Sequence, residues 1–185
     1  MPEPDVILDY IENKYSLSSP LRSKKILITA GPTREAIDPI RYISNRSSGK
    51  MGYAMASAFS SFGCDVTLIS GPSHLPAPDG IKMVKVESTQ EMFEAVHNNL
   101  PKVEIFISAA AVSDYQCNNL SNQKIKKQGE ILSLKLTKSP DILSSVAEQK
   151  KPPFTVGFAA ETENLKKYAK EKLRLKSLDM IIANR

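Results

Sequence analysis

Apolar and polar positions along this chain fall into blocks of two alternating kinds. Short apolar runs rich in β-branched residues occur at Lys25–Thr29, Asp65–Ser70, Lys82–Val86, Val103–Ala109, Phe154–Phe158 and Asp179–Ala183. Runs of this length and composition predict strands. Longer stretches with apolar residues at helical spacing lie between them, at Gly49–Phe62, Thr89–Leu100, Pro140–Lys150 and Asn164–Lys176. Local signals agree with these helices. Ser88 or Thr89 stands before Glu91 as a cap, Pro140 follows Ser139 in a first turn, and Gly63 closes the first long helix. Strands that alternate with helices make crossover units, which bury a parallel sheet under helices. The predicted class is α/β: a Rossmann-like, mostly parallel sheet with helices on both faces.

Two segments stand outside the alternation. Pro4–Tyr15 places Val6, Ile7, Tyr10, Ile11 and Tyr15 near one helical face, and Ser16–Ser23 reads as a linker. The second is an insertion between Tyr115 and Lys138. It holds the polar run Asn118–Gln123, the basic run Lys124-Ile125-Lys126-Lys127, and alternating Ile131, Leu132, Leu134 and Leu136. A Gln128-Gly129 turn would join the basic run to the apolar one as a hairpin or flap, able to close over a phosphate chain.

Composition narrows the function. With 185 residues, 41% hydrophobic and 24% charged, the chain suits one soluble domain plus a tail. It has no apolar stretch of membrane-spanning length and no signal-peptide core, so a cytoplasmic protein with no membrane partner is expected. Two cysteines and two histidines leave no disulfide framework and no metal-ligand cluster. A net charge of +5 permits an anionic partner. Nucleic acid is not expected, because both signs of charge are interleaved, tryptophan is absent and the aromatic residues stand apart from the basic clusters. A triphosphate accounts for the lysines more economically.

The stretch Ile26–Gly52 carries the strongest chemical signal. A buried strand ends at Ala30-Gly31-Pro32, a polar loop follows, and a helix opens near Ser47-Ser48-Gly49. Free N–H groups at a helix start favour an anion, and Arg34, Arg41, Arg46 and Lys50 add positive charge around it. Two nucleotide fingerprints fail here. A Walker A loop would need Gly and Ser or Thr where Ser44 and Met51 stand, and no GxGxxG follows the first strand directly. In a parallel sheet, ligands sit beyond the C-terminal strand ends, here including Ala109–Tyr115 and Phe158–Thr162. Both are alanine-rich, which suits the close approach of a flat ring and equally suits packing against helices.

The run Ile28-Thr-Ala-Gly-Pro-Thr-Arg-Glu35, continued by Ile37-Asp-Pro-Ile-Arg-Tyr-Ile-Ser-Asn-Arg-Ser-Ser-Gly-Lys-Met-Gly52, resembles bacterial phosphopantothenate–cysteine ligase, and the likeness continues to the last residue. That enzyme is usually the C-terminal half of a bifunctional coenzyme A biosynthesis protein whose other half is a flavin-dependent decarboxylase. The resemblance implies a ligase domain over 24–185 and, in 1–23, the tail of the decarboxylase half. It implies that 4′-phosphopantothenate and cysteine are joined through an acyl-cytidylate made from CTP with Mg²⁺, by a homodimer. Ser108, Ala109 and Ala110 would line the nucleotide pocket, Asp114 would contact base or ribose, and Lys124 would face the triphosphate. Pro140, Asp141, Ile142 and Leu143 would present a helix N-terminus, Phe158 would pack on the nucleotide, and Lys172 and Lys176 would complete the site. Asn45 is the residue expected to act on the acyl group, since an amide can donate to an oxyanion and accept from an amine without titrating. Arg41 and Gly49 join it as expected substrate-binding residues, and Lys124 shares the catalytic role. The family continues past Ala183-Asn184 into a further segment, so the C-terminus reads as truncated. The rival reading is a short-chain dehydrogenase, for which Tyr168-Ala-Lys-Glu-Lys172 supplies the catalytic spacing but no glycine-rich turn follows the first strand. A nucleotide sensor without turnover is the non-enzymatic rival.

Overall fold

Lys25–Ala30 forms the central strand, β1, and is buried along all but its first residue. The structure, a computed structural model, describes residues 20–127, 129–160 and 163–184. β1 is flanked by Asp65–Ser70 (β4) and Ile105–Ser108 (β6), in register through Ile26↔Val66 and Ile26↔Ile105. Lys82–Lys85 (β5) extends the sheet on one side, and Phe154–Ala160 (β9) with Met180–Asn184 (β10) on the other. The order β10-β9-β6-β1-β4-β5 is parallel throughout. Chain direction across the sheet therefore reverses between β1 and β6, the kind of switch point where α/β proteins bind ligands.

Alternation along β1 explains the two layers around the sheet. Ile26, Ile28 and Ala30 join Val66 and Leu68 against Tyr53 and Ala56 of helix α1, Lys50–Ser61. Leu27, Ile69 and Phe106 on the other face meet Met92 and Val96 of α2, Thr89–Asn99. Ile142, Leu143 and Val146 of α3, Ile142–Ala147, pack in the same layer, as does Leu173 of α4, Leu165–Leu175. Each fully buried side chain of this size contributes roughly 1.5–3 kcal/mol. Helix α1 comes so near the sheet that a Cβ on Gly52 would stand 2.5 Å from that of Ala30. Its far end closes as expected at Gly63, in the left-handed region at φ 76, with the Gly63 and Cys64 amides donating to Ser60 and Phe59.

Several expectations need correcting. The strand expected over Val103–Ala109 is only Ile105–Ser108, because Val103 N donates back to Leu100 O in a turn through left-handed Lys102. The helix expected over Pro140–Lys150 is Ile142–Ala147, and Pro140 precedes its cap instead of opening its first turn. Asp141 takes the cap, accepting from Ser144 N at 3.0 Å and Ser144 Oγ at 2.9 Å. The polar loop after β1 contains an antiparallel ladder of Arg34–Ala36 (β2) with Tyr42–Ser44 (β3). The insertion is a flap closed at its base by Tyr115–Cys117 (β7) and Leu136–Lys138 (β8), not by the expected pairing of Lys124–Lys127. Main-chain groups of that basic run are engaged elsewhere, as shown below. Pro4–Tyr15 lies outside the described residues. Of the linker, residues 20–23 form a turn tied down by Ser23 N donating to Gly63 O at 2.8 Å.

Candidate functional site

The strand ends at the switch point are locked together by backbone. Beyond β6, residues 109–111 run on beside the turn after β1: Ala109 N donates to Thr29 O at 3.2 Å and Ala111 N to Gly31 O at 2.8 Å. Gly31 sits at φ 74, where a Cβ would stand 3.0 Å from Gly71 O. Gly71 leaves still less room, since its Cβ would fall 1.8 Å from Pro32 O. A buried polar chain fastens the same loop from below. Glu35 accepts from Thr89 N at 2.9 Å and Thr89 Oγ1 at 2.7 Å, Thr89 Oγ1 lies 3.0 Å from Thr33 Oγ1, and Ser113 N donates to Thr33 Oγ1 at 2.9 Å. From the β3 side, Asn45 Nδ2 donates to Val112 O at 2.9 Å and Ala111 O at 3.3 Å.

This loop is one wall of a cavity of about 690 Å³. Asn45, Ser108, Ala110 and Asp114 line it on that side. Pro140, Asp141, Ile142 and Leu143 line it from the start of α3, and Phe158, Lys172 and Lys176 from β9 and α4. Lys172 Nζ donates to Phe158 O at 2.6 Å, and Lys176 pairs with Asp141 at 2.8 Å. Burial is the largest influence on Asp141 and opposes its charge. Hydrogen bonds from Lys176 and from Ser144 outweigh it, so the carboxyl stays below its ordinary range. The cavity is thus cationic on the α4 side, apolar at Phe158, Ile142 and Leu143, and rich in main-chain groups along the β6 loop. That division of surfaces suits a nucleotide.

Four expected residues lie elsewhere. Ala109 faces the α1 layer, because alternation sends Ser108 and Ala110 to the cavity and the residue between them away. Gly49 caps α1 at φ 80 with its backbone against Gly31. Lys124 and Arg41 line a second cavity, also about 690 Å³, with Lys126, Lys127 and Leu132. There Asp38 and Arg41 form an ion pair with Nη2 and Nε of Arg41 at 2.5 and 2.9 Å from Asp38 Oδ2. The arginine's hydrogen bond holds the Asp38 carboxyl far below the usual carboxylate range.

Ala111, Val112, Ser113 and Tyr115 also line the cavity, within the strand-end run Ala109–Tyr115 expected to meet a ligand, whereas reading the sequence missed Lys138 and Ser139. Ser113 Oγ and Ser139 Oγ are buried without a protein partner among the described residues. Tyr168 does not line the cavity that Lys172 lines, so the pair needed by a dehydrogenase does not share it. Among the described residues, no group of three or more His, Cys, Asp or Glu is placed to hold a metal ion, and no helix is long and apolar enough to cross a membrane.

Residues 21–185 match the family model described as the DNA/pantothenate metabolism flavoprotein C-terminal domain. The chain is 52% identical over its whole length to the coenzyme A biosynthesis bifunctional protein CoaBC of Haemophilus influenzae, of which it covers 46%. It is 47% identical over its whole length to CoaBC of Escherichia coli K12, again covering 46%. The chain therefore spans about half the length of the curated relatives it matches. Its fold is similar to a crystal structure of the C-terminal domain of CoaBC, with a TM-score of 0.79 and 44% identity, covering 88% of this chain and 78% of that one.

Proposed function

The chain belongs to the DNA/pantothenate metabolism flavoprotein C-terminal domain family, and from that premise we propose that it is a phosphopantothenate–cysteine ligase using CTP. The observation that carries this reading is the single cavity in which Asn45, the β6 loop, the α3 cap, Phe158, Lys172 and Lys176 meet. In the proposed reaction, the carboxylate of 4′-phosphopantothenate attacks the α-phosphate of CTP. An acyl-cytidylate forms and pyrophosphate leaves. The amine of cysteine then attacks the acyl carbon and CMP departs, which makes a poor acyl donor into a good one.

The roles proposed are those the family resemblance implies, and the residues that line the cavity support them. Phe158 supplies an apolar surface for the nucleotide, and Ser108, Ala110 and Asp114 meet its base or ribose. Lys172 and Lys176 neutralise the phosphate chain, and Lys124, which lines the second cavity, joins them when the flap moves over the bound nucleotide. Asn45 already donates from Nδ2 to the β6 loop, so its Oδ1 is the atom available to accept from the incoming amine. Asp114 and Asp141 are the acids lining the cavity, and Asp141 is committed to Lys176 and Ser144. Mg²⁺ would accordingly be held chiefly by the nucleotide rather than by this chain's acids, and would supply neutralisation of phosphate charge there. We further propose a cytoplasmic homodimer whose longer chain carries a flavin-dependent decarboxylase.

Thermal melting with Mg-CTP, Mg-ATP, NADPH or no addition tests the reading. Ligand at a hundred times its dissociation constant stabilises by about 2.7 kcal/mol, or roughly 5–11 °C for a domain of this size. A rise with CTP, followed by phosphopantothenate-dependent release of pyrophosphate, is the expected result. A rise with NADPH alone would overturn it.

A further inference from the structure

We infer that Asp38 is a positioning residue: with Arg41 it clasps the main chain of Ile125 and thereby sets where the lysines of the flap stand. Asp38 Oδ1 accepts from the amides of Ile40 and Arg41, both at 2.9 Å. Its Oδ2 accepts from Arg41 Nε and Nη2 and, at 3.0 Å, from the amide of Ile125. Arg41 Nη2 also donates to Ile125 O at 2.8 Å. Both backbone polar groups of a residue 87 positions away are thus satisfied, as an adjacent strand would satisfy them. This is why Lys124–Lys127 pairs with no strand.

The loop that does the clasping is itself closed by hydrogen bonds. Ile37 N donates to Arg41 O at 2.8 Å, and Ser121 N donates to Ile37 O at 3.2 Å. Among the described residues, that bond and the two at Ile125 are the hydrogen bonds from residues 121–135 to the rest of the fold outside the flap. Three lysines around one residue repel one another and do not hold a conformation by themselves. Gripping Ile125 by its backbone fixes the segment while leaving Lys124, Lys126 and Lys127 exposed for an anion. The acid is the centre of this device, because its side chain is fully buried and its two oxygens gather the donors of Ile40, Arg41 and Ile125 at one point.

The inference rests on the reading in which Lys124 meets the phosphates of CTP, and its test separates the two. Asp38→Asn keeps the shape of the side chain but replaces one acceptor oxygen with a donor. The expected result is about tenfold or faster hydrogen exchange at the Ile125 amide, with exchange in β1 and β4 unchanged. Trypsin should cut faster after Lys126 and Lys127. In pyrophosphate release, KM for CTP should rise severalfold, and Asp38→Asn should add little further loss on a Lys124→Gln background. Unchanged exchange at Ile125 in the folded variant would overturn the clasp, whatever the reaction. Fully additive losses in the double variant would overturn its action through the lysines. If the parent protein releases no pyrophosphate, the ligase reading fails and the exchange result alone decides the clasp. Should Asp38→Asn not fold, Ile125→Pro removes the donated amide without touching the buried acid; faster cleavage after Lys126 and Lys127 is then expected, and unchanged cleavage overturns the clasp.

Discussion

Replacing Asn45 with aspartate tests whether its amide is a latch as well as a candidate catalytic group. Asn45 Nδ2 stands 2.9 Å from Val112 O and 3.3 Å from Ala111 O. The Asn45→Asp variant would put oxygen where both carbonyls expect a donor. Two hydrogen bonds are lost, each contributing about 0.5–1.5 kcal/mol net. Because Asn45 is exposed, water replaces part of that, and a cost of about 1–2 kcal/mol is expected. For a domain of this size the melting temperature falls by roughly 2–8 °C. The loss should depend on pH. Facing two carbonyls, the new carboxyl binds its proton more readily in the folded protein than in the unfolded chain, so its folded pKa is raised. Stability relative to the parent is then recovered below the unfolded pKa and lost as pH rises through the folded one. Melting curves of the parent, Asn45→Asp and Asn45→Ala at pH 5 and pH 8 make the comparison, with the alanine variant as the pH-independent reference. Product formation from phosphopantothenate, CTP and cysteine should fall in Asn45→Asp by more than the fraction unfolded explains. A variant that melts with the parent at both pH values, or whose deficit grows on acidification, would refute the latch.

Further outcomes follow from the same geometry. Lys124→Gln should weaken the CTP-dependent first step, and an unchanged rate of pyrophosphate release would reject that role. Gly71→Ala places its methyl group 1.8 Å from the Pro32 carbonyl oxygen, so two backbone turns must separate; urea denaturation should show a loss of about 3 kcal/mol or more, and a loss under about 1 kcal/mol would mean the turns yield freely. For Asp141, whose folded pKa is lowered, stabilisation is present above the unfolded value and lost as pH falls through the folded one. Its side chain is about half exposed, so the ion pair with Lys176 contributes at most about 1 kcal/mol. Asp141→Asn should keep the α3 cap and flatten that acid dependence, whereas Asp141→Ala should also lose the cap, about 1 kcal/mol; equal melting of the two variants would argue against the cap.

What could be read from the sequence was whatever depends on neighbours along the chain. β1, β4, β6 and β9 are covered on both faces, so they appear as continuous apolar runs, and the helices between them keep their spacing. Strand order did not show, because it is set by which crossovers pack, as in β5 returning across the sheet to β6. The β2–β3 ladder was hidden for a different reason. Arg34–Ala36 and Tyr42–Ser44 are too short and polar to signal strands, and they are held by Glu35 reaching Thr89, 54 residues away. The flap misled in the same way. Its alternating leucines suggested a partner for Lys124–Lys127, yet the partner of Ile125 is a carboxylate and a guanidinium from a distant loop. Around the cavity, the family resemblance pointed to Phe158 and the lysines, while Ala109 needed the register of β6 to be placed.

The excursion between Gly31 and Gly49 also explains why a sheet with dinucleotide-type order lacks the dinucleotide fingerprint. In that fingerprint a glycine turn leads from the first strand straight into the helix, whose free N–H groups then hold a pyrophosphate. Here the turn and the helix start still meet, since a Cβ on Gly49 would stand 3.1 Å from Gly31 N. That contact leaves backbone against backbone where the pyrophosphate would go. The inserted residues are spent on other tasks: Glu35 anchors them to α2, Asp38 and Arg41 clasp the flap, and Asn45 holds the β6 loop. The cavity that results opens beyond β6 and β9, on the far side of the switch point, with cations from α4 in place of the helix start of α1. On this view the first helix has become a structural support, and charge reversal separates the two sites: Lys50→Glu at the start of α1 should leave CTP binding unchanged, whereas Lys176→Glu should abolish it. Titration of both variants with Mg-CTP by melting shift decides, and a loss of binding in Lys50→Glu equal to that in Lys176→Glu would return the phosphate site to α1.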